Sequence, residues 1–96
     1  MPYLIKAHDY PDALPRRMEV RQLHLDALAG LKAQGKVLYA AAMLNDKGEL
    51  CGSTMFVDLT RDEVDALLKT EPYILNNVWD KDRIEIIAVK PAPGFA

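Results

Sequence analysis

A side chain suited to proton transfer and one suited to anion binding lie close together in this sequence. Arg21 and His24 are three positions apart, so on a helix their side chains share one face. A histidine titrates near neutral pH and can take or give a proton. An arginine beside it could hold an anionic or enolic oxygen of a substrate. The same pattern has a second interpretation, a histidine that fills the core or an interface, because His24 falls on the apolar stripe of the helix.

A histidine that moves protons works best beside a carboxylate that fixes its tautomer, and two acidic residues are candidates. Asp9 ends the first predicted strand and could pair with His24, or it could cap the following turn. Glu71 precedes Pro72, where its charge would favour the N-terminus of a short helix. His8 is interpreted as a strand residue without chemistry.

The composition excludes several other kinds of function. The 96 residues suit one domain, and 12 basic against 14 acidic residues give no basic tract for nucleic acid. Cys51 is the single cysteine, so neither an intrachain disulfide nor a cysteine metal cluster can form. Two histidines without a carboxylate cluster are poor evidence for a metal, and no glycine-rich phosphate loop occurs. We therefore expect no cofactor, no membrane contact and a cytoplasmic location, since the N-terminus lacks a signal-peptide core.

The hydrophobic pattern predicts strands and helices in the order β-α-β-β-α-β. The helical pattern from Leu14 to about Gln34 stops at Gly35, which accepts the left-handed conformation. Thr60 and Glu63 form a capping box at the start of the second helix, and a short helical segment is predicted over 73–78. The four predicted strands cover residues 3–8, 36–44, 50–59 and 83–89.

This order predicts an α+β, ferredoxin-like fold: a four-stranded antiparallel sheet with both helices on one face. The opposite face then needs a cover, because the strands are too apolar to leave both faces wet. We expect a second copy of the chain to supply it, giving a homodimer. The strand residues on which this expectation depends are Val37, Tyr39, Met55, Val57, Ile84 and Ile86.

Three segments together resemble the YciI-like (YCII-related) family. They are MEVRQLHLDAL on the first helix, Gly52-Ser53 in the third strand and EPYILNNVW after the second helix. The likeness spans nearly the whole chain, so residues 1–96 are expected to form a single YciI-like domain. It implies a small homodimer of the dimeric α+β barrel class, with a histidine and an acid in a cleft between helix and sheet.

Carried over residue by residue, the resemblance assigns the catalytic histidine to His24, with Arg21 before it and the acid at Glu71. Asp9 and Ser53 are additional pocket candidates. The chain departs from the family where Glu71 replaces an aspartate, lengthening the side chain by about 1.5 Å. It departs again where Ala41-Ala42 replaces Gly-Pro.

Two functions are compatible with these features, beside a third interpretation in which the chain is a purely structural dimerising module without a ligand. One is a cofactor-independent enzyme that moves a proton in an isomerisation, lyase or elimination step on a small aromatic or lactone-like molecule. The other is a non-catalytic, dimeric ligand-binding or accessory domain that uses the same cleft. The two departures from the family pattern border this cleft and leave both functions open.

Overall fold

The chain folds in the predicted β-α-β-β-α-β order, with one extra turn of helix before the last strand. A computed structural model describes residues 2–95. Within them, no helix is both long and apolar enough to span a membrane. The elements are β1 (Pro2–Asp9), α1 (Leu14–Ala33), β2 (Val37–Leu44), β3 (Leu50–Asp58), α2 (Arg61–Thr70), α3 (Pro72–Leu75) and β4 (Trp79–Ala88).

The helix ends follow from local sequence chemistry. Gly35 takes a φ of 72° just beyond the end of α1, as its sequence position predicts. The capping box of α2 is present. Glu63 donates its backbone N–H to the Thr60 hydroxyl at 3.2 Å, and its carboxylate accepts from Thr60 N at 2.9 Å. The hydrogen bond from Thr60 N is the largest cause of the lowered pKa of Glu63.

The sheet has the strand order β2-β3-β1-β4, and every neighbouring pair is antiparallel. Ile5 lies between Met55 on β3 and Ile86 on β4, on the face that the helices cover. Burial alternates along β1, where Ile5, Ala7 and Asp9 are buried. The inner face of the central strand therefore ends in a carboxylate rather than an apolar residue.

Five of the six strand residues expected to demand a second cover already lie on the helix-covered face. Val37, Met55 and Val57 are buried in the core, and Ile84 and Ile86 pack against it. The prediction that these residues need a second cover was wrong. Side chains alternate between the two faces of each strand, and these five lie together on the inner face. Of the six, Tyr39 alone points away, and it is 66% exposed.

The uncovered face nevertheless carries its own apolar row. Leu4 pairs with Phe56 on one side and with Ile87 on the other, and Phe56 pairs with Tyr39. These four side chains cross the whole sheet, one from each strand. We therefore expect the second copy of the chain to cover this apolar row.

The last strand begins at Trp79, four residues earlier than predicted. Pairing between β1 and β4 is interrupted: Ala7 lies opposite Ile84, whereas Asp9 lies opposite Trp79. The charged residues 80–83 form the bulge between these two pairs, and their polarity concealed the strand in the sequence. The bulge brings the Trp79 indole beside Asp9. The short helix is also shifted, to Pro72–Leu75 instead of 73–78.

We predict that the protein is a dimer at micromolar concentration in sedimentation equilibrium. Leu4→Glu should shift it toward monomer, because the substitution places a charge in the middle of the apolar row. Leu75→Glu is the matched control, since Leu75 is 64% exposed on α3, in the helical layer. A well-folded wild-type monomer at that concentration would contradict the prediction.

Candidate functional site

The centre of the site is a buried contact between His24 and Glu71. His24, on the inner face of α1, is 5% exposed, and Glu71, at the junction of α2 and α3, is 2% exposed. Their Nδ1 and Oε1 atoms are 2.5 Å apart. A carboxylate only accepts hydrogen bonds, so this contact assigns the ring proton to Nδ1. Nε2 then keeps its lone pair, and no residue within 2–95 is bonded to it.

Glu71 combines two roles that the sequence presents as alternatives. The same Oε1 atom that contacts His24 accepts the backbone N–H of Tyr73 at 3.3 Å, which caps α3. Pro72 occupies the first helical position, where its missing N–H leaves no donor unsatisfied. The cap fixes the carboxylate, and the fixed carboxylate orients the histidine.

Two aromatic rings hold the plane of the histidine. The Tyr73 ring is stacked on His24, with centroids 4.0 Å apart and planes at 15°. Trp79 approaches His24 edge-on at 5.8 Å. Burial raises the pKa of Tyr73, so its hydroxyl stays protonated over the neutral range. The imidazole therefore has little freedom to rotate.

A second buried network lies beside this pair and is built around Arg17. Its Nη1 donates to both carboxylate oxygens of Asp9, at 3.0 and 2.9 Å, and its Nη2 donates to Ser53 Oγ at 3.0 Å. The Trp79 indole N–H donates to the same Ser53 oxygen at 3.1 Å. The guanidinium lies 4.7 Å from the centroid of the Tyr73 ring. Tyr73 thus contacts both networks.

Arg17 is 3% exposed, and its Nε atom is buried without a hydrogen-bond partner among the described residues. A buried donor without a partner is unfavourable by about 1–3 kcal/mol. Burial also raises the pKa of Asp9, with the Arg17 charge acting in the opposite direction. The network is therefore not optimised for stability alone.

Both networks open onto one cavity of about 230 Å³ between α1 and the sheet. Arg21, which is exposed, also lines it. Leu25 and Leu28 form the apolar wall on the helix, and the floor includes Ala41 and Ala42. A single small ring fits this volume, since about 150 Å³ is enough to hold benzene. In the described part of the chain, no group of residues has the arrangement of a metal site.

The structure brings most of the predicted site residues together. His24 contacts Glu71, and Arg21 and Ser53 line the same cavity. Asp9 neither pairs with His24 nor caps the following turn; its side chain is held by Arg17. Both sequence interpretations of Asp9 were wrong, because its strongest neighbour is a buried guanidinium.

Sequence analysis missed Arg17, although a signal for it exists. Arg17, Arg21 and His24 have the spacing i, i+4, i+7, which places all three on one face of α1. An arginine on the same helix face as a buried histidine is expected to be buried too, and a buried guanidinium needs an acidic partner. Trp79 is buried, and its indole N–H donates to Ser53.

The Arg17–Asp9 pair yields a prediction about stability. Arg17→Met should lower the free energy of unfolding by about 3–5 kcal/mol, because it leaves the Asp9 charge buried and unpaired. The double variant Asp9→Leu/Arg17→Met should recover much of that loss. Urea unfolding of the wild type, the two single variants Arg17→Met and Asp9→Leu, and the double variant measures the coupling, and additive losses would contradict it.

The same variants should differ in their pH dependence. The pKa of Asp9 is raised in the fold, so the folded state binds its proton more tightly than the unfolded state. Stability from this group is then lost as pH rises through the folded pKa. Removing the Arg17 charge raises this pKa further. The stability gap between Arg17→Met and wild type should therefore narrow as pH falls from neutral, and a gap that widens would refute the assignment.

Known proteins share this architecture. The solved structure of 5-chloro-2-hydroxyhydroquinone dehydrochlorinase from Burkholderia phenoliruptrix, in complex with 2,5-dihydroxybenzoquinone, superimposes with a TM-score of 0.84. It is 23% identical, and the match covers 96% of each chain. Protein YciI of Escherichia coli is 33% identical over an alignment of 98 positions, which covers 95% of each protein.

A fungal relative is longer than this chain. Aspercryptin biosynthesis cluster protein B of Emericella nidulans is 29% identical over an alignment of 93 positions, which covers 88% of this chain and 60% of that protein. The chain thus matches only part of the fungal protein. The model of the YCII-related domain matches residues 1–88, and with the likeness to YciI it shows that the chain belongs to the YCII-related domain family.

Proposed function

We propose that the protein is a cofactor-independent enzyme in which His24 moves a proton on a small hydroxylated ring. The observation that carries the proposal is the 2.5 Å contact between His24 Nδ1 and Glu71, which leaves Nε2 for a molecule in the cavity. Glu71 fixes the tautomer and stabilises the imidazolium that forms when Nε2 takes a proton. Tyr73 keeps the ring in plane.

The neighbouring cations suit the charge that such a step creates. Loss of a proton from a ring hydroxyl leaves negative charge on the substrate oxygen. Arg17 and Arg21 both line the cavity. Donors held in place before the reaction are more effective than water, because they need no reorganisation. Asp9 and Ser53 keep the Arg17 guanidinium in position.

One histidine could perform both an isomerisation and an elimination on a chlorinated polyhydroxybenzene. In the first step, Nε2 takes a hydroxyl proton and returns it to the chlorinated ring carbon, so the ring becomes a ketone. In the second, a conjugated hydroxyl loses its proton to Nε2 and its oxygen becomes a second carbonyl. The ring double bond shifts, and chloride leaves with the electron pair of its bond to carbon. The net loss is HCl, and no oxidant is needed.

The choice of this substrate class is supported by the reaction in the name of the structural neighbour, a dehydrochlorinase whose structure holds a dihydroxyquinone. The cavity has a matching chemical character, with one apolar wall and two arginines. A small, flat, acidic ring would place its oxygens at the arginines and its carbons against Leu25 and Leu28.

A non-catalytic ligand-binding or accessory domain is the second candidate. Two features favour it: the longer acid at Glu71, and the alanines at Ala41 and Ala42, which line the cavity. Both differ from the family pattern at the point where a substrate would lie. Such a domain would bind the same kind of ring without changing it.

The enzyme proposal predicts chloride release from 5-chloro-2-hydroxyhydroquinone. His24→Gln should lower kcat by at least about 100-fold, since general acid–base catalysis contributes at least that factor. Glu71→Gln should lower it less, because an amide oxygen can still accept from Nδ1. His8→Gln is the matched control, on the outer face of β1 away from the cavity. Undiminished turnover in His24→Gln would refute the role of His24, and binding without turnover in wild type would establish the accessory function.

Stability must be measured alongside turnover, because His24 also supports the fold. We expect His24→Ala to lower the free energy of unfolding by about 1–3 kcal/mol, since it leaves the Glu71 carboxylate buried without its partner. Melting curves of the variants used for turnover separate this effect from catalysis. If His24→Ala melts like wild type, Glu71 does not depend on His24 for its buried position.

A further inference from the structure

Helix α1 leaves part of the inner face of β2 uncovered. Ala40 pairs with Met55 and Ala42 pairs with Ser53, so all four side chains lie on the face toward the helices. Met55 and Ser53 are buried, whereas Ala40 and Ala42 are exposed. Because alanine side chains are short, a gap stays open between the edge strand and the helix.

This gap continues away from His24 as an apolar groove of about 360 Å³. Leu25, Leu28 and Ala40 line both the groove and the cavity that holds His24, so the two spaces share a border. The groove then runs on past Ala29 to Lys32, whose aliphatic stem adds apolar surface. From Leu25 to Lys32 the helix rises by about 10 Å.

We propose that this groove binds an aliphatic substituent of the molecule whose ring lies at His24. The ligand class is then an alkyl-substituted phenolic ring rather than a bare one. The position of the ring at His24 depends on the proposed function. The continuity of the groove with the cavity is inferred from the three residues that line both spaces. The cavity of about 230 Å³ has room for a single small ring, so a chain attached to it must leave the cavity. The groove offers a largely apolar exit, which Tyr39 also lines, with Lys32 as its one charged side chain.

The test is the affinity of a chemical series rather than turnover. Phenol, para-cresol, para-butylphenol and para-hexylphenol are titrated into the protein by calorimetry. Burial of each added methylene should tighten binding by up to about fourfold, until the chain passes the end of the groove. Dissociation constants that do not change with chain length would overturn the proposal.

Ala29→Leu is the matched blocking variant, because Ala29 lines the groove and not the cavity at His24. It should abolish the gain from butyl and hexyl chains and leave the Kd of phenol unchanged. Leucine is a good helix former, and the site is exposed, so the fold should tolerate it. Ala40→Leu, which fills the groove from the sheet side, should also abolish the gain from the longer chains; because Ala40 also lines the cavity at His24, the Kd of phenol is compared only in Ala29→Leu. Ala66→Leu, an exposed alanine on α2 that lines neither space, should leave the whole series unchanged.

Two further outcomes are decisive. If Ala29→Leu or Ala40→Leu dissociates a wild-type dimer in sedimentation, the groove is a contact between copies, and the proposal is wrong. If affinity increases with chain length and Ala29→Leu abolishes that increase, but no phenol is turned over, the groove proposal is supported and the proposed catalysis is wrong. Equal gains in wild type and both groove variants would show non-specific partition and overturn the groove.

Discussion

The site depends on one constraint: charged groups buried beneath α1 must find partners inside the protein. His24, Arg17, Asp9, Glu71 and Ser53 are all buried in a chain of 96 residues. An isolated charge in such surroundings would be strongly destabilising. The fold meets this constraint by bringing one carboxylate to Arg17 and another to His24 from different directions. Asp9 arrives from the end of the central strand, and Glu71 arrives from the junction between two helices.

Tyr73 makes the two buried pairs one unit. Its ring stacks on His24 and lies under the guanidinium of Arg17, while its backbone N–H is held by Glu71. Trp79 joins the same group through its hydrogen bond to Ser53. Movement of any one of these groups would disturb partners on α1, β1, β3 and α3 together. This is the arrangement that a proton-transfer site requires, because a small displacement of a catalytic group has a large effect on rate.

Local chemistry could be predicted from the sequence, whereas long-range pairing could not. The Thr60–Glu63 box and the stop at Gly35 need only neighbouring residues, and both predictions were confirmed. The early start of β4 could not be found in this way, because its first pair joins Trp79 to Asp9 across a bulge. The burial of Arg17 likewise depends on Ser53, 36 residues away.

The same distinction applies to the histidine pair. His24 and Glu71 are 47 residues apart, and nothing in spacing or periodicity connects them. The resemblance to the family suggested both residues, and the structure supplied the contact. The apolar sheet face shows the opposite error: its existence was expected, but the residues named for it were mostly those of the inner face. Strand alternation assigns faces reliably only when bulges, such as those in β2, are known.

The departure at Glu71 shows what the fold preserves. An aspartate here would be shorter by about 1.5 Å, too short to keep a 2.5 Å contact with His24 unless α3 moved toward α1. Glutamate spans that distance and still caps α3 through the same oxygen. In this chain one glutamate oxygen therefore both pairs with the histidine and caps the short helix. A carboxylate fixed in this way holds the imidazole in one tautomer, and the proposal of proton transfer rests on this pair.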